Sequence, residues 1–227
     1  MFLARSIPIV IMFMTSPLGG FDEIQLFHHG TFDAVRGNFT APSGRGSPFH
    51  SLEIMSQDSK NEHVKTVYAH FGLALYLAQV LEHGLANALM SAELLPRRAG
   101  KPVPRKQWEA EFDLFMNEQF DKPLGRLISG LRKVTSVPAD LEALLTTALK
   151  TRNFLAHHFF RERAESFMSR VGREKMIEEL ESAQRLFETA DEKLTEVAKP
   201  FREMYGLTDE KLKPFEQKYL NTFENDL

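Results

Sequence analysis

Thr151-Arg152-Asn153-Phe154-Leu155-Ala156-His157-His158 places an arginine, an asparagine and two histidines inside an otherwise apolar run. An arginine guanidinium grips phosphate oxygens through a planar fork of N–H donors. Histidine moves protons near neutral pH. Side chains of these types can cleave RNA without a metal ion. On a helix, Asn153 and His157 are four residues apart and share a face, which Arg161 continues. Arg152 lies about 100° round from Asn153 and roughly 140° from His157 on an ideal 3.6-residue turn. Arg152 and His157 therefore converge only if the helix distorts, or if an identical helix from a second chain faces the first. The spacing points to a composite, dimeric site.

The elements that must position these residues read as helices. Apolar residues recur at Val64, Val67, Phe71, Leu75, Ala78, Leu81, Leu85, Ala88 and Leu89, the steps of a buried helical stripe. That helix is expected over Glu62 to Leu95, with Pro96 stopping it. A second helix is expected over Trp108 to Phe120, and a third over Pro123 to Val134. The next runs from about Ala139, with Ser136 as its cap and Pro138 at its start, into Arg163. The last spans roughly Arg170 to Lys199, and Pro200 should kink or end it. Its apolar residues, Met176, Leu180, Ala183, Phe187, Ala190, Leu194, Val197, Phe201 and Met204, step by four and three. Packing within the same bundle is the favoured use of that stripe, and a dimer seam the alternative.

Bulk properties narrow the possibilities. The 227 residues fit one domain with an extension better than two full domains. A hydrophobic fraction of 43% beside 26% charged residues suits a soluble globule with a real core. The chain has no cysteine, which excludes disulfides, thiol catalysis and cysteine zinc sites and fits a reducing cytoplasm. A net charge of −3 gives no global attraction for nucleic acid, so any RNA contact needs a local basic patch. No apolar run approaches the roughly 20 residues of a membrane span, so no membrane is expected.

Residues 1–54 do not match the rest. Gly19-Gly20, Ala41-Pro42-Ser43-Gly44 and Gly46-Ser47-Pro48 break any helical pattern. The segment is expected to be a low-order N-terminal extension, with only a faint resemblance to a secretory signal. Met55 begins an ordinary polar N-terminus and would serve as the native start. The helical bundle is then expected over residues 55–200 and a helical tail over 201–227.

Arg152-Asn153-x-x-x-His157, late in an all-helical chain, resembles the signature of the HEPN superfamily (higher eukaryote and prokaryote nucleotide-binding domain), R-x4-6-H with a polar residue after the arginine. His158 satisfies the same spacing. The bare spacing recurs at Arg45-Gly-Ser-Pro-Phe-His50, inside the Gly/Pro segment. The specific part of the likeness therefore rests on Asn153, the helical context and the all-helical surroundings. The resemblance implies an all-α, up-and-down bundle of four to five helices that forms a homodimer. It implies metal-independent RNA cleavage with no cofactor. His157 would be the general base or acid. Arg152 would hold the scissile phosphate, and Asn153 would orient one of them. The products would carry 2′,3′-cyclic phosphate and 5′-hydroxyl ends. Many active relatives are toxins held by an antitoxin protein and others are inactive binding modules, so a non-catalytic dimerisation or RNA/nucleotide-binding module stays open.

Further candidates surround this motif. Tyr76, Gln79, His83 and Asn87 share a face of the first helix, with Glu82 beside it; Gln79, Glu82 and His83 are candidate binding residues, Glu82 as a partner for Arg152. Arg97, Arg98 and Lys101 belong to the most basic short segment, Arg97 to Lys106, which could guide RNA phosphates. Arg152 and Arg161 could instead pair with acidic neighbours, and one of His157 and His158 should face the core. A di-iron bundle needs Glu-x-x-His pairs, and the chain has none. His63 and His70, one heptad apart, are read as surface groups, and no metal site is expected.

Overall fold

The computed structural model describes residues 11–12, 25–26, 48–101, 103–214 and 217. Arg45, the signal-like start and the end of the tail lie outside the described residues. Apart from a two-residue antiparallel pairing of Ile11–Met12 with Gln25–Leu26, the described chain is helical.

The first helix, α1 (Pro48–Leu89), starts earlier than expected. It crosses both the anticipated boundary at residue 54 and Met55. Proline suits a first helical position, where a missing N–H costs nothing, and no other proline follows until Pro96. Pro96 does not stop the helix as expected. A π-helical turn, Met90–Leu94, widens the ladder so that the Leu95 amide bonds to the Met90 carbonyl. Pro96 then falls in the first turn of α2 (Leu95–Arg98), where it removes no needed donor. Gly100, at φ 71°, makes the turn that ends this rod.

Three helices follow, each opened by a proline in extended geometry. They are α3 (Arg105–Phe120) after Pro104, α4 (Leu124–Val134) after Pro123 and α5 (Ala139–His157) after Pro138. The Ser136 side chain does not cap α5; the Pro138 carbonyl accepts the Glu142 amide, and Asp140 and Glu142 sit at the positive end of the helix dipole. α5 ends at His157 rather than Arg163, and His158 breaks it at φ −130°. Two short turns, α6 (Phe159–Glu162) and α7 (Ala164–Phe167), carry the chain over the base of α1. Aromatic burial accounts for the break: Phe159 stacks on Phe71 at 5.7 Å, while Phe160 and Phe167 close round Tyr68.

The last long helix, α8 (Arg170–Met204), is capped by the Ser169 hydroxyl and passes through Pro200 without ending. A proline inside a helix costs about 3 kcal/mol. Burial of Leu194 upstream and of Leu207 and Leu212 beyond outweighs that cost. Asp209 is tied to Lys199 and Arg202, and residues 209–214 are helical, so the bundle continues past residue 200.

About five substantial helices pack together. The contacts set their directions. α5 runs antiparallel to α1, because Phe71 meets Phe159 and Glu82 meets Arg152. α8 returns parallel to α1, with His63 beside Arg173 and Gly84 against Asp191. α3 descends along α1, from Glu111 beside Arg98 to Phe120 on His83. α4 runs antiparallel to α5, Arg132 pairing with Glu142. The result is an all-α arrangement of packed helices around α1. The four-and-three stripe of α8, from Met176 to Leu194, is buried inside this one chain, chiefly on α1. By length and composition Asn61–Arg98 could cross a membrane, contrary to the expectation; its Leu81, Leu85 and Leu89 are core residues of the bundle.

Candidate functional site

Leu141, Leu145, Ala148 and Leu155 are the buried face of α5, and Arg152 falls in the same line. Its side chain consequently points at α1, where Nε donates to Glu82 Oε1 at 3.2 Å, across 70 residues of sequence. The pairing expected of Glu82 is thus formed. Both side chains keep some exposure, 31% for Arg152 and 22% for Glu82. The other guanidinium nitrogens of Arg152 have no recorded partner among the described residues.

Asn153 and His157 are exposed on the outer side of α5. Both His157 and His158 are exposed, against the expectation that one would face the core; Leu155 and Phe159 take the core positions instead. The two imidazoles lie 6.2 Å apart. Arg161 does not continue the α5 face, because the break at His158 intervenes. It returns to the corner by another route, with its Nη2 2.8 Å from His158 Nδ1. With arginine donating, that nitrogen accepts and the ring proton sits on Nε2. Glu162 also lies 3.8 Å from Arg161. Asn153, His157, His158 and Arg161 thus form a polar corner between α5 and α6. No contact joins Arg152 to His157 among the described residues, as their angular separation on α5 requires.

The polar stripe of α1 divides between two neighbours. Glu82 turns to α5. His83 instead meets the Phe120 ring edge-on at 4.9 Å, so it faces α3 and not the Arg152 corner. Burial pushes its imidazole pKa down, and its Nδ1 has no hydrogen-bond partner among the described residues. Gln79 is exposed, and no hydrogen bond joins it to the corner among the described residues.

The basic segment is distant and mostly neutralised. Arg97 pairs with Glu93, Arg98 with Glu111 and Arg105 with Glu109, while Lys101 is exposed. Hydrogen bonds from Gln107 and then Arg98 hold the Glu111 carboxyl below its usual range. Arg97 follows Glu82 by fifteen helical residues, about 22 Å of rise, so this segment does not share the Arg152 site. His63 and His70 are not surface groups as expected but face α8. Arg173 Nε donates to His63 Nδ1 at 3.4 Å, and Gln184 Nε2 donates to the His70 carbonyl at 2.9 Å. Among the described residues no three His, Asp or Glu side chains gather to hold a metal ion.

Two features escaped the sequence reading. Asp191 of α8 lies against Gly84, where a Cβ would collide with its carboxylate. Burial, then the charge of Glu192, pushes its pKa up to about 6. The mid-helix glycine was the available signal, since it marks close approach of another element. The other is a groove between α5 and α8 beside Lys150, which spacing alone does not reveal. A scan against protein-family models, a search of curated proteins and a search of solved structures each found no match to this chain.

Proposed function

We propose that this chain is a HEPN-like endoribonuclease that cleaves RNA without a metal, as a homodimer whose site combines Arg152 of one subunit with His157 of the other. The observation that carries this reading is the way Glu82 holds Arg152. It fixes the guanidinium through Nε and leaves the terminal N–H groups for a phosphate, which they can grip bidentately. His157 takes the proton from the ribose 2′-hydroxyl as that oxygen attacks phosphorus. The P–O5′ bond breaks, and a protonated histidine of the same cluster returns a proton to O5′. Arg152 balances the charge that builds on the non-bridging oxygens. The ends left are a 2′,3′-cyclic phosphate and a 5′-hydroxyl.

A second reading, a non-catalytic module that binds RNA or dimerises, is favoured by the divergence of Arg152 and His157 within one chain. Incubation of the purified protein with mixed RNAs in EDTA separates the two. Cleavage with cyclic-phosphate ends, lost in both Arg152→Ala and His157→Ala, supports the enzyme. No cleavage, or equal cleavage by the variants, overturns it and leaves the module.

A further inference from the structure

We propose that the groove between α5 and α8 seats one nucleotide of single-stranded RNA, with the base among Leu155, Ala183 and Leu186 and a phosphate on Lys150. This rests on the RNA reading above and extends it to residues that reading does not use.

The groove holds about 390 Å³. Leu155 and Ala183 form its buried floor, and Phe154 and Leu186 are half-buried walls. Arg163 lies 5.2 Å from the centroid of the Phe154 ring and binds both oxygens of Glu179 at 2.8 Å, so the wall is braced and the carboxylate lining the groove is neutralised. A nucleobase is a flat apolar plate with a polar edge, and base stacking on apolar and aromatic walls tolerates any sequence. The Thr151 hydroxyl has no recorded hydrogen bond among the described residues and can meet that edge.

Charge selects the occupant. Lys150 stands exposed at the rim with no ion pair among the described residues. On the facing stretch of α8, Glu179 is paired with Arg163 and Glu181 lies 4.0 Å from Arg185, leaving Glu178 and Glu188 as the opposing charges there without a described ion pair. From Lys150 the exposed side of α5 continues through Asn153 to His157, steps of three and four residues covering about 10 Å. His158 and Arg161 extend the same line of donors at the corner. A strand with its base in the groove would lay its phosphates along these donors toward the proton-transfer residue. An apolar peptide would fill the slot but leave this line of donors unused.

The test is binding of a short fluorescent 2′-O-methyl RNA, which lacks the attacking hydroxyl, to the full chain and to three variants. Lys150→Glu should weaken binding about tenfold or more and flatten its salt dependence. Lys133→Glu, the same charge change at an exposed site on α4, should stay within about twofold. Ser182→Phe, which fills the groove from an exposed position, should weaken binding of intact RNA while leaving an abasic strand unaffected. The groove assignment is overturned if Lys150→Glu matches Lys133→Glu, or if Ser182→Phe is silent or acts equally on both strands. Wild-type binding with unaffected variants removes only the groove; a wild-type protein that neither binds nor cleaves RNA removes the RNA reading as well.

Discussion

Arg152 and Glu82 share a half-exposed ion pair whose acid both aims the arginine and competes with phosphate for it. Replacing Glu82 with Gln keeps an acceptor at the same reach and removes the competing charge. Such a pair contributes under about 1 kcal/mol to stability, so urea denaturation of Glu82→Gln should shift little. RNA affinity should rise about threefold, because a carboxylate charge no longer stands beside the phosphate that Arg152 grips. Affinity that falls instead would mean Glu82 matters mainly for aiming. This pairing was legible in the sequence because Glu82 and Arg152 lie on long helices whose inward faces the apolar spacing defines. His83 was misread because spacing gives its angle on α1 but not the identity of the neighbour there, which is Phe120. Asp191 makes a second prediction. Its carboxyl, at about 6, holds a proton more tightly in the folded chain than the ordinary value of 3.8. Below that ordinary value both states are protonated and burial costs nothing. Between roughly pH 4 and 6 the unfolded chain ionises first and stability falls, and above pH 6 the cost is complete. Asp191→Asn should therefore raise the melting temperature at pH 8, corresponding to at most about 3 kcal/mol, with the gain gone below pH 4. A gain that persists at pH 3.5 would point to packing rather than charge.

At the scale of the element, prolines were read by one rule but act by position. Pro104, Pro123 and Pro138 open helices as their fixed φ allows. Pro96 and Pro200 sit within longer helical rods because a π turn precedes one and core residues flank the other. Neither circumstance is local to the proline, so sequence alone places a stop at both. The end of α5 was missed for a related reason. His158 carries no breaker chemistry, and the break follows from a cluster of Phe71, Phe159, Phe160 and Phe167 that only tertiary contact assembles. Two glycines test how tightly these elements are held. A Cβ at Gly172 would run into the backbone carbonyl of Ser166, across the α7–α8 turn. A Cβ at Gly84 meets the movable end of Asp191, with Leu194 at 3.3 Å. Gly172→Ala should therefore cost about 2–3 kcal/mol in urea denaturation and Gly84→Ala about 1 kcal/mol. The reverse order would show that the α7–α8 turn yields more readily than the α1–α8 seam.

The molecule as a whole decides whether the two halves of the motif ever meet. One chain directs Arg152 inward to α1 and His157 outward to solvent, and the four-and-three stripe of α8 is already used inside the bundle. A dimer must therefore use another surface, and a two-fold arrangement would build two identical composite sites, each taking Arg152 from one subunit and His157 from the other. Arg152→Ala and His157→Ala subunits would each be inactive alone. A heterodimer of the two would keep one site with both groups intact, since the His157→Ala chain supplies its arginine and the Arg152→Ala chain its histidine. Random reassociation makes about half the dimers mixed, each with one of its two sites working, so activity should return to about a quarter of wild type. Mixing the variants after partial unfolding and refolding, then counting cyclic-phosphate ends, measures this directly. Mixtures as inactive as their parents would place the whole site within one chain, and a monomer by light scattering at assay concentration would remove the composite site altogether.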